Sequence, residues 1–125
     1  MNEDTVRNFN LEKRTFLFAM AVRNYVDKLP SKITNQEIGR QLIRSAGSVG
    51  ANHIEANEAL SKKDFQFRIK ICRKEVKESC FWLKLSFPLK MHEDDRMKLI
   101  NESLELVKIF ATIINKFQYQ VSLTK

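Results

Sequence analysis

The chain has 125 residues, of which 43% are hydrophobic, and this size predicts one domain with its own core and leaves no room for a second. Only three glycines and two prolines interrupt a composition that is typical of long helices, so a fold of many short strands is excluded. We therefore predict an all-α protein with a single domain over residues 1–125.

The apolar runs indicate a soluble, cytoplasmic protein. The longest one, from Phe16 to Val22, is far shorter than the roughly 18 residues that a membrane-spanning helix needs, and the N-terminus MNEDTVRN lacks a signal-peptide pattern. Cys72 and Cys80 lie roughly 12 Å apart along one predicted helix, so they cannot form a disulfide with each other. We interpret both cysteines as small buried hydrophobic residues.

Four long helices are predicted, over residues 10–28, 35–59, 62–87 and 95–119, because apolar residues recur in each at spacings of three and four. The first helix ends before Pro30. Phe9 and Phe16 lie off its apolar stripe, so a second surface of this helix is expected to need covering.

The second helix is predicted to begin at the N-cap Thr34, with Glu37 reaching back to it. Its main buried stripe is predicted to contain Ile38, Leu42, Ala46, Val49, His53, Ala56 and Leu60. A neighbouring stripe contains Gly39, Ile43, Gly47, Gly50, Ile54 and Asn57. Each interior glycine costs about 1 kcal/mol relative to alanine, so we expect another backbone to approach closely there. A helix broken near Gly47 to Gly50 is the alternative.

The third helix begins with an N-cap at Ser61 and ends before Pro88. Its buried stripe is predicted to contain Phe65, Ile69, Cys72, Val76, Ser79, Cys80 and Leu83. Lys63, Lys70, Lys77 and Lys84 recur at heptad spacing on another face. Residues 61–87 contain eight basic and three acidic residues, so most of the formal net charge of +7 belongs to one helix.

The fourth helix begins at Asp94 and Asp95, which suit a helix N-terminus. Its predicted apolar face contains Ile100, Leu104, Leu106, Val107, Ile109, Phe110, Ala111, Ile113, Ile114, Phe117 and Val121, and residues 119–125 are expected to fray. Because short connections force neighbouring helices to run in opposite directions, we predict an antiparallel up-down-up-down four-helix bundle.

Catalytic and metal-binding patterns are scarce in this sequence. His53 and His92 lie in different segments and at no spacing that would place two ligands on one helical face. The run from Gly47 to Gly50 matches the GxxG of a KH loop, but that module needs a sheet, and the run lacks the pattern of a phosphate-binding loop. We predict no catalytic residue, no metal site and no cofactor, and expect the protein not to be an enzyme.

The basic face of the third helix is the strongest functional signal. Its ordinary interpretation is a solvated helix surface on which Glu75 and Glu78 pair with nearby lysines. The functional interpretation, favoured by a pI of about 9.6, is a surface that binds nucleic-acid phosphates without reading sequence. The predicted phosphate contacts are Arg44, Lys63, Lys70, Arg73, Lys74, Lys77 and Lys84. Phe81 and Trp82 are candidates for base stacking, although packing against the protein is the preferred interpretation.

The block from Arg44 to Leu83 resembles the bacterial four-helix-bundle proteins known as 23S rRNA intervening-sequence or S23-type proteins. His53 replaces an apolar or aromatic residue expected there, and Cys80 replaces a basic or aliphatic one. The matching positions are Arg44, Ser45, Gly47, Ser48, Gly50, Asn52, Glu55, Ser61, Lys63, Asp64, Phe65, Arg73, Lys74, Glu75, Glu78, Ser79, Trp82 and Leu83.

This resemblance implies a helical bundle that assembles into a ring-like homopentamer. The chain is similar in this respect to the accessory protein of diversity-generating retroelements, a basic barrel that binds nucleic acid and a reverse transcriptase. We therefore expect a self-associating protein that binds nucleic acid, with structured RNA favoured over DNA. The alternative is an interaction module that docks a reverse transcriptase or another nucleic-acid enzyme without binding nucleic acid itself.

Overall fold

The computed structural model describes residues 3–124, and the side chains of residues 10–120 and of Leu123 within them. Helix α1 spans Glu3–Asp27, α2 spans Ile33–Asn57, α3 spans Lys62–Leu85 and α4 spans Glu93–Thr124. A single 3-10 turn, Lys90–His92, precedes α4. The prediction of an all-α fold with four helices is confirmed over the described residues.

The outer helices are longer than predicted. No glycine or proline interrupts residues 3–10, and α1 begins at Glu3. At the other end α4 continues through Thr124, beyond the predicted end at residue 119, and the fraying of residues 119–125 stays a prediction. Phe9, which was predicted to lie off the apolar stripe of α1, and Val121, which was predicted to lie on the apolar face of α4, are outside the described side chains.

The contacts between helices show that each one runs antiparallel to its neighbours. Along α1 and α2, Thr15 lies against Gly50 and Val26 lies against Gly39. Cys72 near the middle of α3 donates a hydrogen bond from its Sγ to the carbonyl of Val49 on α2. The α3–α4 and α1–α4 pairs follow the same rule, with Phe65 near Phe117 and Arg14 paired with Glu102.

A single hydrophobic core lies between the helices, and α3 contributes its predicted stripe to it. Ile69, Cys72, Val76 and Leu83 are almost completely buried there. The expectation that both cysteines are small buried residues is confirmed, since Cys72 and Cys80 are free and buried. Burial raises the pKa of the Cys72 thiol to about 12, so this thiol stays protonated at neutral pH.

One predicted core position of α4 is wrong. Leu104 is 45% exposed, because the buried face of the helix is centred on Ser103, Leu106 and Phe110, about a third of a turn away. Leu60 is also exposed, since α2 ends three residues before it. His53, by contrast, is buried in the core beside Phe110, where desolvation lowers the pKa of its imidazole.

The predicted N-cap of α2 is also wrong. The cap position is Lys32, which makes no side-chain cap hydrogen bond, and Thr34 lies within the first turn. The reason is Asn35, whose buried amide donates to the carbonyls of Pro30 at 3.2 Å and Phe87 at 3.0 Å and accepts from the amide of Phe87 at 3.1 Å. These bonds hold the α1–α2 and α3–α4 connections together and set where α2 begins. In contrast, the predicted Ser61 cap is present, accepting from the amide of Asp64 at 3.0 Å.

The three glycines of α2 have different surroundings. The helix is continuous, so the alternative of a break near Gly47 to Gly50 is wrong. A Cβ on Gly39 would lie 2.9 Å from Cγ1 of Val26, so the packing is close at this position, but the neighbour is a side chain of α1 and not the backbone that was expected. A Cβ on Gly50 would make only ordinary contact with Thr15, and one on Gly47 would meet nothing within 4 Å.

Candidate nucleic-acid interface

The outer face of α3 carries two rows of side chains with heptad spacing. One row contains Lys63, Lys70, Lys77 and Lys84, and the other contains Phe67, Lys74 and Phe81. Because seven residues make nearly two turns of an α-helix, the members of each row lie above one another on one side of the helix. All seven side chains are exposed. We call the five lysines of these rows the lysine stripe.

The acidic residues of α3 lie to one side of this stripe. Glu75 and Glu78 both contact Arg44 of α2, and Asp64 lies 4.0 Å from Arg68. The carboxylates are therefore grouped on the flank of α3 that faces α2. Among the described residues, none of the four lysines in the first row forms an ion pair, so their charges face solvent uncompensated.

Arg44 is placed differently from the other predicted phosphate contacts. Its guanidinium donates to Glu78, to Glu75 at 3.4 Å and to Gln41 at 3.3 Å. The hydrogen bond from Arg44 lowers the pKa of the Glu78 carboxyl and, reciprocally, the carboxylate raises the pKa of the guanidinium. Arg44 thus joins α2 to α3 and offers a phosphate much less net charge than a free arginine would.

The remaining predicted contacts divide into two groups. Lys74 keeps 71% of its side chain exposed, although its ammonium lies 3.7 Å from the buried carboxylate of Glu75. Arg73 is half-buried beside the stripe and forms no ion pair within the described part of the chain. The structure therefore brings the five lysines together on one face, with Arg73 at its edge and Arg44 on the α2 side.

Aromatic side chains interrupt the lysine stripe at two points. Phe67 is 58% exposed and Phe81 is 56% exposed, whereas Trp82 is partly buried and packs against the core. Trp82 meets Phe81 in a T-shaped contact with ring centroids 5.0 Å apart, and its indole N–H donates to Glu78 at 3.2 Å. Sequence reasoning missed Phe67, although its heptad spacing from Lys74 and Phe81 was available as a signal.

A second exposed feature is a groove between α1 and α2. It has a volume of about 570 Å³, and its lining is mostly apolar: Thr15, Phe16, Ala19, Gly47, Gly50, Ala51 and Ile54, with Glu12 and Lys13 at its edge. Phe16 is 62% exposed and Ile54 is 49% exposed. The predicted second surface of α1 and the second stripe of α2 therefore form one depression, which we call the α1–α2 groove.

Two features are absent from the described residues: a cluster of potential metal ligands and a helix suited to span a membrane. No group of three or more histidine, cysteine, aspartate or glutamate side chains there is placed to hold a metal ion. Within the same part of the chain, no helix is both long and apolar enough to cross a membrane.

Comparison with known proteins decides the family. The profile of the 23S rRNA-intervening sequence protein family matches residues 7–112, which include the whole lysine stripe. The chain belongs to this family. The resemblance inferred from Arg44 to Leu83 is therefore confirmed.

A solved structure supports this family fold. The chain is similar to a protein of unknown function from the S23 ribosomal protein family of Bacteroides thetaiotaomicron, with 28% sequence identity and a TM-score of 0.70. The similarity covers 82% of this chain and 96% of the solved one. No curated protein matches the sequence. The family is named for 23S rRNA intervening sequences, and the solved relative is named for the S23 ribosomal protein family. Neither name includes an enzymatic activity.

Proposed function

We propose that this protein is a non-enzymatic, self-associating RNA-binding protein whose lysine stripe contacts phosphates with little readout of bases. The observation that carries the proposal is the separation of charge on α3. The three carboxylates lie beside Arg44, Arg68 and Lys74, while Lys63, Lys70, Lys77 and Lys84 face solvent without an acidic partner among the described residues. Such a surface attracts a polyanion such as a nucleic acid whatever its base sequence.

The membership of the chain in a family named for 23S rRNA intervening sequences supports RNA as the polyanion. The main contacts would be the five lysines, with Arg73 at the edge. Arg44 would act mainly by neutralising Glu75 and Glu78, which would otherwise repel phosphates. A phosphate contact by Arg44 itself would require one of its carboxylate partners to be released.

The test is a charge reversal on the stripe. The variant Lys70→Glu, Arg73→Glu, Lys77→Glu should lose retention of a structured RNA in a filter-binding assay at low salt. A matched control, Lys90→Glu, Lys98→Glu, Lys116→Glu, changes three exposed lysines elsewhere and lowers the formal net charge by the same amount, from +7 to +1. The control should retain RNA, whereas equal losses in both variants would reduce the proposal to a general effect of net charge.

Self-association is supported by the α1–α2 groove. A helix face of glycines and small or apolar side chains allows a second helix to approach closely, and the groove exposes an apolar surface that a second copy would cover. The family resemblance implies that this assembly is a ring-like homopentamer. Light scattering coupled to size exclusion should therefore give a mass near five times 14.7 kDa.

The alternative function, docking of a reverse transcriptase or another nucleic-acid enzyme, is favoured by a different surface. At the end of the bundle where Asn35 joins two connections, Ile33, Phe87, Leu89 and Met91 are all exposed. The discriminating experiment is co-purification with an enzyme encoded in a neighbouring gene. Dependence on Phe87 and Met91 but not on the lysine stripe would favour docking, whereas salt-sensitive RNA binding with no such partner would favour the main proposal.

A further inference from the structure

From the two exposed rings within the lysine stripe, we infer that the preferred ligand is an unpaired, single-stranded stretch of RNA, with bases stacked on Phe67 and Phe81. This inference rests on the proposed function and names its substrate class. The rings and the lysines alternate on one helix face, so one strand lying along α3 could place phosphates on the lysines and bases on the rings.

The two phenylalanines contribute little to the core of this chain. More than half of each side chain is exposed, and buried phenylalanine would remove far more apolar area from water. Other exposed apolar residues lie in the α1–α2 groove, near the connections or singly on other helix faces, as Leu104 does, whereas Phe67 and Phe81 lie among Lys63, Lys70 and Lys77 on one face of α3. Packing within the chain therefore covers less than half of either ring.

The composition of this face favours nucleic acid over a protein as the occupant. Protein interfaces are depleted in lysine at their centres, because burying an ammonium group is costly. Five lysines on one stripe instead supply the positive charge that a phosphate backbone attracts. Aromatic rings among cationic groups are the combination that binds single strands, since every base presents a face for stacking.

The arrangement selects unpaired bases over a duplex. In an RNA helix the base faces are stacked inside and the major groove is deep and narrow, so side chains on a protein helix reach phosphates, 2′-hydroxyl groups and base edges but not the base faces. Phe67 and Phe81 would then have nothing to stack on. An unpaired loop or strand can turn its bases toward both rings while its phosphates remain on the lysines.

The spacing of the rings suits a short strand. Fourteen residues separate Phe67 from Phe81, which corresponds to about 21 Å along the helix axis. A stacked strand rising about 3.4 Å per nucleotide covers this distance in about six steps. Lys70, Lys74 and Lys77 lie between the rings, where the phosphates of the connecting nucleotides would pass. Phe81 is also supported by its T-shaped contact with Trp82, which limits the movement of the ring.

The experiment compares two RNA probes with the intact protein at one salt concentration: an unstructured 20-nucleotide oligouridine and a blunt duplex without unpaired bases. We expect Phe67→Ala with Phe81→Ala to weaken anisotropy-measured binding of oligouridine at least tenfold while changing duplex binding less than twofold. Replacement of both rings by tryptophan should preserve binding to oligouridine, and replacement by leucine should not. Phe87→Ala, which removes a more exposed ring outside the stripe, is the control and should change neither affinity.

The outcomes separate this inference from the proposed function. If the charge-reversed triple variant loses both probes but the phenylalanine double variant binds oligouridine normally, the inference is overturned and the proposed function stands. Equal weakening of both probes, or leucine variants that bind as well as tryptophan variants, also overturns it. A lower assembly mass in the alanine double variant would assign the rings to protein contact, and failure of the wild type to bind either probe at low salt would overturn both proposals.

A spectroscopic readout is built into the chain. Trp82 is its single tryptophan and lies beside Phe81. Oligouridine should change the fluorescence of Trp82, and Phe81→Ala should reduce this change more than Phe67→Ala does. Equal changes with oligouridine and duplex in the wild type would contradict stacking at Phe81.

Discussion

The lysine stripe and the α1–α2 groove are two exposed surfaces with opposite chemistry. The stripe lies on one helix and contains five lysines, of which only Lys74 has an acidic partner among the described residues, whereas the groove lies between two helices and contains small and apolar side chains. Charge repels a second copy of the same surface, while an apolar depression attracts one. The proposed RNA binding and the proposed self-association would therefore use different parts of the molecule, and each should be open to disruption without the other.

The largest effect is expected from a charge in the groove. Ile54→Glu should convert the assembly to a monomer of 14.7 kDa, because the carboxylate would be buried without a partner at the contact between copies. Since Ile54 is already half-exposed, the monomer should still fold, as circular dichroism can show. Light scattering gives the mass. Ile33→Glu, at a more exposed residue outside the groove, is the control and should leave the mass unchanged.

A smaller but still large effect is expected from salt. If each chain neutralises five phosphates of a single strand, the slope of log K against log salt should be about −3.5, so that affinity falls about 100-fold between 50 and 200 mM salt. Fluorescence anisotropy over this range measures the slope. Lys70→Gln with Lys77→Gln should make it less steep by about 1.4. An unchanged slope in this variant would place the RNA on another surface.

Replacing a glycine of α2 by alanine should have an effect of about 1 kcal/mol that is present at Gly47 and absent at Gly39. Gly47→Ala should raise the free energy of unfolding of a monomeric background such as Ile54→Glu by about 1 kcal/mol, because the new methyl group meets nothing and alanine favours the helix. Gly39→Ala should fail to give this gain, since its methyl group would lie 2.9 Å from the stiff Val26 side chain. Urea denaturation measures both. A gain at Gly39 as large as at Gly47 would contradict the close packing of α1 against α2.

The smallest effect is a pH dependence that arises from the buried His53 in the core. Burial lowers the pKa of His53, so the unfolded chain, in which a histidine titrates near about 6.5, takes up a proton before the folded chain does. The free energy of unfolding should therefore be insensitive to this group above about pH 7 and decrease as the pH falls below about 6.5. Urea midpoints at pH 7.5 and 5.5 should differ less in His53→Leu than in the wild type. His92→Gln, which changes a histidine outside the core, should keep the wild-type difference.

Much of the helical architecture could be predicted because it depends on local patterns. The helical spacing of Ile69, Cys72, Val76 and Leu83 required one buried face whichever helices packed against it. Ser61 caps α3 by accepting a hydrogen bond from the amide of Asp64, three residues later in the chain. Heptad lysines on the remaining face had to be exposed. The role of these lysines in RNA binding stays a proposal, since it depends on the structure of the RNA as well as on this sequence.

Features that depend on two distant segments could not be predicted in the same way. The start of α2 is set by hydrogen bonds from Asn35 to Phe87, which is 52 residues away, and Arg44 is partly neutralised by carboxylates of α3 more than thirty residues away. The exposure of Leu104 depends on how α4 rotates against its neighbours.

The sequence by itself determined four amphipathic helices, their antiparallel order and a basic face on α3, because the period of a helix and the length of a connection are local properties. Only the tertiary structure decided that Gly39 is tightly packed while Gly47 opens onto a groove, because this depends on the path of α1. It also decided that the acidic residues of α3 face α2, where Arg44 pairs with two of them. Among the described residues, Lys63, Lys70, Lys77 and Lys84 are left without an ion-pair partner. The positions of charges follow from the sequence, but their partners follow from which helices lie side by side.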